Sequence, residues 1–499
     1  MNGLCRVIEK SARRRASQAF RQPAPVHRIV CLSAALCLAL AASALRAQQP
    51  AGNTPQQPDN GAQVHTGVTS GLDTETRLDN LLADHQFLRV QSQLDQLPPR
   101  TAQFYRGILA NRDNDLKKSI ELLQPLVDEV TASGNTGVPA DRSSSAGWNT
   151  AHENLLRKAL AEDYLREGDW AKAADAYQAL ATRLDGKLGR DEQDEIEMPL
   201  KMLPLAKDNP PMTVDPCDPF ELQVSKNLLG LIDIPVFVDA RPHSWMLDPT
   251  APFNLIARSL AKEAGLTVST DAVTIHSLTG RPIQVHMTVI PRFTIGGQLT
   301  LRNMTAFVFE DADYFFPQTH YQVEGVLGYP ALQALGSLTV TDNDTIYVDP
   351  GKQISAAEKS DEPAGVRFFL DGDQILVPLG STSGQQRMFA IDAGGQQTYL
   401  TSRYYDEHAN DFTGQKMQLF APRGQSNPVP AFNAETIPLQ AGPTKFNVHF
   451  IPVLTQPLGS AALDDIYGVL GVDALDPLGS YTFDYRTMRF SITLNQPRD

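Results

Sequence analysis

A pattern that occurs twice, kept in step across about eighty residues, limits this chain to folds built from a duplicated unit. Residues Met388 to Leu400 read MFAIDAGGQQTYL: an apolar run reaches Asp392, breaks into Ala393, Gly394 and Gly395, and returns to extended chain at Thr398, Tyr399 and Leu400. A second copy, WMLDPTAPFNLI, runs from Trp245 to Ile256. Aligning Asp248 with Asp392 aligns Leu247 with Ile391, Ala251 with Gly395 and Ile256 with Leu400. Downstream, Gly325-Val326-Leu327-Gly328 follows the first acid and Gly468-Val469-Leu470-Gly471 the second, and the acid-to-glycine separations are 80 and 79 residues. A strand that ends on a carboxylate at a tight turn presents that acid to a cleft.

The segments before the repeat differ in character. Residues 1–47 place Arg13, Arg14, Arg15, Arg21 and Arg28 ahead of the apolar run Ile29 to Ala44, with small residues at Ala42, Ser43, Ala44 and Ala47. That order is expected of a bacterial-type secretory signal and a periplasmic or secreted product. The alternative, a membrane anchor, meets an apolar run shorter than the roughly 20 residues a spanning helix needs. The formal charge of the whole chain is −14, and the first 47 residues hold 8 of its 43 Lys and Arg but 1 of its 57 Asp and Glu. Without the leader the chain is therefore strongly acidic, which disfavours nucleic acid or an anionic membrane as partner. Cys5, Cys31 and Cys37 fall within the leader, leaving Cys217; one cysteine makes neither an internal disulfide nor a metal site.

Residues 48–71, rich in Gln, Pro, Asn and Gly, are expected to be a flexible tether. Residues 72–185 have helical spacing. ALAEDYLREGDWAKAADAYQAL, Ala159 to Leu180, sets Tyr164, Gly168, Trp170, Ala173, Tyr177 and Leu180 where a helix–turn–helix needs bulk, a turn and a small contact. This segment resembles a tetratricopeptide repeat. Phe104 to Val127 is a weaker copy, Asp79 to Leu97 a less regular pair, and Thr131 to Gly147 a Gly- and Ser-rich insertion. The resemblance implies a surface for a protein partner; a cap packed on the next domain is the other reading. Residues 186–219, with Asp191, Glu192, Asp194, Glu195 and Glu197 and then several prolines, are expected to be a linker. From 220 the texture is β: hairpins around Ser277 to Gly280 and Gly296-Gly297, short helices at Ile256 to Gly265, Ala331 to Leu335 and Arg403 to His408, and a polar connection at 351–364. The expected class is multidomain, helical hairpins followed by a duplicated all-β unit, with halves at 220–350 and 365–497.

Each half resembles a lobe of an aspartic protease of the retropepsin–pepsin type, over about residues 220 to 495. In that family each lobe offers a hydrophobic strand, Asp-Thr/Ser-Gly, and a later hydrophobic-hydrophobic-Gly segment packed behind the acid turn. The resemblance puts Asp248 and Asp392 at the catalytic positions and Val326, Leu327, Gly328, Val469, Leu470 and Gly471 behind them. It implies hydrolysis of protein or peptide substrate with no cofactor. The acid turns depart from the pattern: Asp248-Pro249-Thr250 has proline for the hydroxyl residue and threonine for the glycine, and Asp392-Ala393-Gly394 keeps its glycine but has alanine for the hydroxyl. Thr250, Ala393 and Gly394 are the candidate supports of the acid loops. Two carboxylates a few ångströms apart share a proton and titrate as a pair; one then activates water while the protonated partner polarises the carbonyl. The eroded turns leave three readings open: an endopeptidase, a pseudo-protease that binds peptide without cutting, and a structural protein whose acids are ordinary turn residues. Other chemistry is not signalled. The chain has no His-Glu-x-x-His, Gly-x-Ser-x-Gly or phosphate-binding glycine loop, and His276 and His286 flank a hairpin without zinc-ligand spacing. Tyr314, Phe315 and Phe316 either line a cleft or pack locally.

Overall fold

The structure, a computed structural model, describes residues 69–134, 150–184, 187, 190–206, 209–249, 251–276, 282–317, 319–351, 365–371, 374–381, 385–392, 397–421, 428–458 and 461–495. The expected leader, nearly all of the tether, most of the Thr131 to Gly147 insertion, the Ser277 to Gly280 turn and the connection at 352–364 lie outside them.

The first half of the described chain is helical: α1 (Thr69–Ala83), α2 (Phe87–Gln91), α3 (Pro99–Arg112), α4 (Leu116–Gly134), α5 (Thr150–Glu167), α6 (Trp170–Leu184) and α7 (Arg190–Ala206). Each packs on the next. Small residues set the spacing. A Cβ on Gly107 of α3 would lie 2.2 Å from the Leu123 side chain of α4, and Ala173 of α6 is wholly buried. Gly168, at φ +80°, turns the chain between α5 and α6, a conformation that glycine adopts without strain.

The acidic stretch expected to be linker is instead the helix α7, despite Pro199 and Pro204 within it. Two prolines and a charge run argue against a helix locally, but packing overrides them. Ile196 and Leu203 are buried in the helical core, while Met198, Met202 and Ala206 belong to the core of the β region. The helix after the first acid is also shorter than expected: Leu255–Ala257 is strand, and α8 covers Arg258–Glu263.

The second half is two mixed β-sheets, one per repeat, and the fold class is as expected: a helical region followed by a duplicated, two-lobed β unit. Their registers superimpose the repeats. In the first lobe the acid strand (Arg241–Leu247) runs parallel to Gly325–Leu327, with Leu247 opposite Leu327. In the second, Gln386–Asp392 runs parallel to Gly468–Gly471, with Ile391 opposite Leu470. The returning strands pair antiparallel to the same elements, Ile256 opposite Gly325 and Leu400 opposite Gly468. Glycines let these strands meet: a Cβ on Gly325 would lie 2.3 Å from the Trp245 ring, and one on Gly468 2.7 Å from the Leu400 side chain. Short helices follow in matching places, α8 and α10 (Ser402–His408) after the return strands and α9 (Tyr329–Ala334) and α12 (Val472–Leu475) after the glycines, while α11 (Ala461–Asp464) occurs in the second lobe.

A six-stranded sheet joins the lobes, with Phe220–Gln223, Ser337–Val340 and Thr345–Asp349 from the first half and Val366–Arg367, Gly479–Asp484 and Arg489–Leu494 from the second. At its centre Thr339 pairs with Thr482, their hydroxyls 2.8 Å apart. Thr339 lies 11 residues after Gly328, and Thr482 11 after Gly471. Equivalent residues thus face each other across an antiparallel pair, so a local two-fold axis passes between them. The helical region docks on the second lobe through Asp371, which receives Arg112 at 2.8 Å and His85 at 2.7 Å, and through Phe87 against Phe369, ring centres 5.0 Å apart.

Candidate functional site

Asp248 follows the last residue of its strand, and its N–H donates to the Leu327 carbonyl at 3.1 Å. Its carboxylate oxygen Oδ1 accepts the Ala251 N–H at 3.2 Å, so the side chain closes its own turn. Pro249 is buried and has no N–H to offer. Asp392 is the last residue of its strand and stands opposite Gly471. Thr250, Ala393 and Gly394 lie outside the described residues.

The two Val-Leu-Gly segments pair with the strands that lead into the acids. Val326, Leu327, Val469 and Leu470 are each no more than 1% exposed. Gly328 must be glycine for steric reasons: a Cβ would lie 2.2 Å from the Phe253 carbonyl oxygen and 2.6 Å from that of Ala251. Gly328 and Gly471 precede α9 and α12 with nearly the same backbone angles, −94°, −176° and −88°, −178°.

Two supporting residues are not evident from the sequence motifs. Asn254 accepts the Gly328 N–H through Oδ1 at 3.1 Å and donates from Nδ2 to the Thr305 carbonyl at 3.1 Å. Thr398 accepts the Gly471 N–H through Oγ1 at 2.9 Å and donates to Asp473 at 2.5 Å; its own N–H also goes to Asp473. Both are 1% exposed, and both stand six residues after their acid. A polar side chain opening an otherwise apolar return strand, twice at the same offset, is the signal that could have found them. The pair ties each acid turn to the glycine behind it, by an amide in one lobe and a hydroxyl in the other.

Buried tyrosines flank the acids. The Tyr399 phenol is pushed up by burial and then by the Asp392 charge. Tyr485 is 2% exposed; burial, then Tyr329, Tyr481 and Asp248, push its phenol far above the usual range. Both rings stay neutral at any physiological pH. Tyr314 packs on Phe309, ring centres 4.6 Å apart, and Phe315 is exposed. His286 bonds the Ser269 carbonyl. Among the described residues no group of three or more His, Cys, Asp and Glu is placed to hold a metal, and no helix is long and apolar enough to cross a membrane.

No curated protein sequence matches the chain. Among solved structures, conglutin gamma, a basic 7S globulin from lupine seeds, and the basic 7S globulin from soybean are each 10% identical to it, cover 56% of this chain and 96% of their own, and give TM-scores of 0.36. A retropepsin-like aspartic protease from Rickettsia conorii is 17% identical, covers 26% of this chain and 99% of its own, and gives 0.21. Residues 234–331, which include Asp248 and Val326-Leu327-Gly328, match the family model described as aspartyl protease.

Proposed function

We propose that the chain is an aspartic-type endopeptidase in which Asp248 and Asp392 together activate water against a peptide carbonyl. One observation carries this reading: both acids end strands that run parallel to equivalent Val-Leu-Gly segments, in lobes related by the Thr339–Thr482 axis. Two like carboxylates brought within a few ångströms across such an axis would share one proton, the ionised one acting as base and the protonated one as acid. Purified chain is expected to cleave unfolded protein or a broad peptide library in a pepstatin-sensitive way. Asp392→Asn and Asp248→Asn should each lower kcat at least about a hundredfold, the lower bound for losing a positioned acid or base.

Pro249 supports a second reading. With proline at 249 and alanine at 393, the chain has no hydroxyl at either position from which the family's cross-lobe bond is made. A pseudo-protease would bind peptide in the cleft without turnover and keep that binding in Asp248→Asn. Library-wide absence of cleavage together with retained peptide binding would decide for it.

Two further assignments belong to this proposal. We place the protein outside the cytoplasm, on the order of basic, apolar and small residues in 1–47; mass spectrometry of the mature N-terminus tests this. The helical region is a tetratricopeptide-like platform for a protein partner, on the small-residue contacts at Gly107 and Ala173.

A further inference from the structure

The first acid turn is the more altered of the two, yet something outside its own lobe holds it. Tyr329, the first residue of α9, donates its N–H to the Ala251 carbonyl at 2.8 Å, and the Ala251 N–H bonds the Asp248 carboxylate. The position of α9 therefore sets the position of the Asp248 turn. Tyr485, in the turn between the last two strands of the second half, meets both ends of this helix. Its ring stands edge-on to Tyr329, centres 5.7 Å apart at 74°. Its N–H donates to the carbonyl of Gly336, just past the other end, at 2.8 Å. Phe483 stacks on the Tyr485 ring at 6.0 Å and 15°, and Phe368 abuts it edge-on at 5.9 Å, so the ring has little freedom to move.

The repeat does not duplicate this pair of tyrosines. The residue at the Tyr329 position after Gly471 is Val472, and the residue at the Tyr485 position in the first half is Asp342. Among the described residues, the tyrosine pair stands behind the turn that carries Pro249 and has no equivalent at the matching positions of the other half.

We propose that Tyr485 is a positioning residue for Asp248, holding α9, and through it the Asp248 turn, from the opposite half of the duplication. The assignment rests on the reading of Asp248 as one of the paired acids, and the test separates the two claims. Tyr485→Phe keeps the ring and the backbone N–H; Tyr485→Leu keeps the N–H and loses the ring.

Hydrogen exchange by mass spectrometry reads the restraint without any activity. In Tyr485→Leu, exchange should quicken at least fivefold over 246–258 and 325–336 and stay unchanged over 388–400, with Tyr485→Phe matching the parent. Equal quickening in both acid segments would mean a general loss of stability, and no change in either would mean no grip; either result overturns the proposal. Where the parent hydrolyses peptide, Tyr485→Leu should lower kcat at least tenfold with KM within twofold. The two limbs of its pH–rate profile should also converge, because carboxylates held less firmly couple less, and Tyr485→Phe should restore both. Limbs spaced as in the parent would overturn the positioning role. Absence of hydrolysis in the parent, alongside the segment-specific exchange, would instead sink the peptidase reading and leave the restraint standing.

Discussion

Asp163 shows how one side chain ties stability to pH. It is fully buried between the helical hairpins and accepts Asn111 Nδ2 at 2.8 Å. Burial pushes its carboxyl up to about 6, against the opposing pull of Arg166 and its hydrogen bonds. Because the folded value lies above the unfolded one, the stability it contributes is full below about pH 4 and is lost as pH rises through about 6. Asp163→Asn, which keeps an oxygen for Asn111, should therefore flatten the pH dependence of the melting temperature between pH 4.5 and 7.5. The difference amounts to on the order of 1–3 kcal/mol, and paired melts of the two proteins measure it. Equal slopes in both would remove Asp163 as the cause.

At the scale of elements, the strands that place the acids were legible because the alignment of two copies constrains what one copy does not. Leu247 with Ile391 and Ile256 with Leu400, matched by sequence, occupy matched places in the register. The second half of the repeat is fainter: Leu335-Gly336-Ser337 and Leu478-Gly479-Ser480 sit at equal offsets from their glycines and lead into the central pair of the shared sheet. The helix α7 was illegible for a different reason. Its apolar residues are divided between two cores, and no local pattern reports a partner supplied by another domain. Two substitutions test the elements behind the acids. Gly328→Ala sets a methyl against two carbonyl oxygens and should leave little soluble protein, whereas the same change at Gly265, where a Cβ meets nothing within 4 Å, should cost only the strain of a positive φ, about 1 kcal/mol. Thr398→Val removes the acceptor of the Gly471 N–H and should cost about 1–3 kcal/mol, read by urea unfolding.

At the scale of the whole molecule, the helical region and the second lobe are tied through charges. Burial alone would raise the Asp371 carboxyl, but Arg112, and then His85 and Lys158, outweigh it and hold the group well below the usual carboxylate range. Around it Arg367 pairs with Asp113 at 3.2 Å, and Arg403 pairs with Asp84. A depressed value stabilises above the unfolded carboxylate range near pH 4, and that contribution fades as pH falls toward the folded value. Asp371→Ala removes the second-lobe carboxylate that Arg112 and His85 share and should uncouple the two parts, splitting one calorimetric transition into two at neutral pH; a single transition at the parent temperature would show that the apolar contact of Phe87 with Phe369 suffices.

The shared sheet also sets an order of events during synthesis. Ser337–Val340 finds its second neighbour in Gly479–Asp484, and the helix behind Asp248 finds its aromatic contact in Tyr485. A ribosome that has just finished the first lobe at residue 350 has therefore released an acid turn that is not yet seated, and the 135 residues up to Tyr485 must emerge before it can be. An unfinished or C-terminally clipped chain carries both acids without the contact that orders the first. Any activity that depends on their alignment is withheld until Tyr485 has emerged.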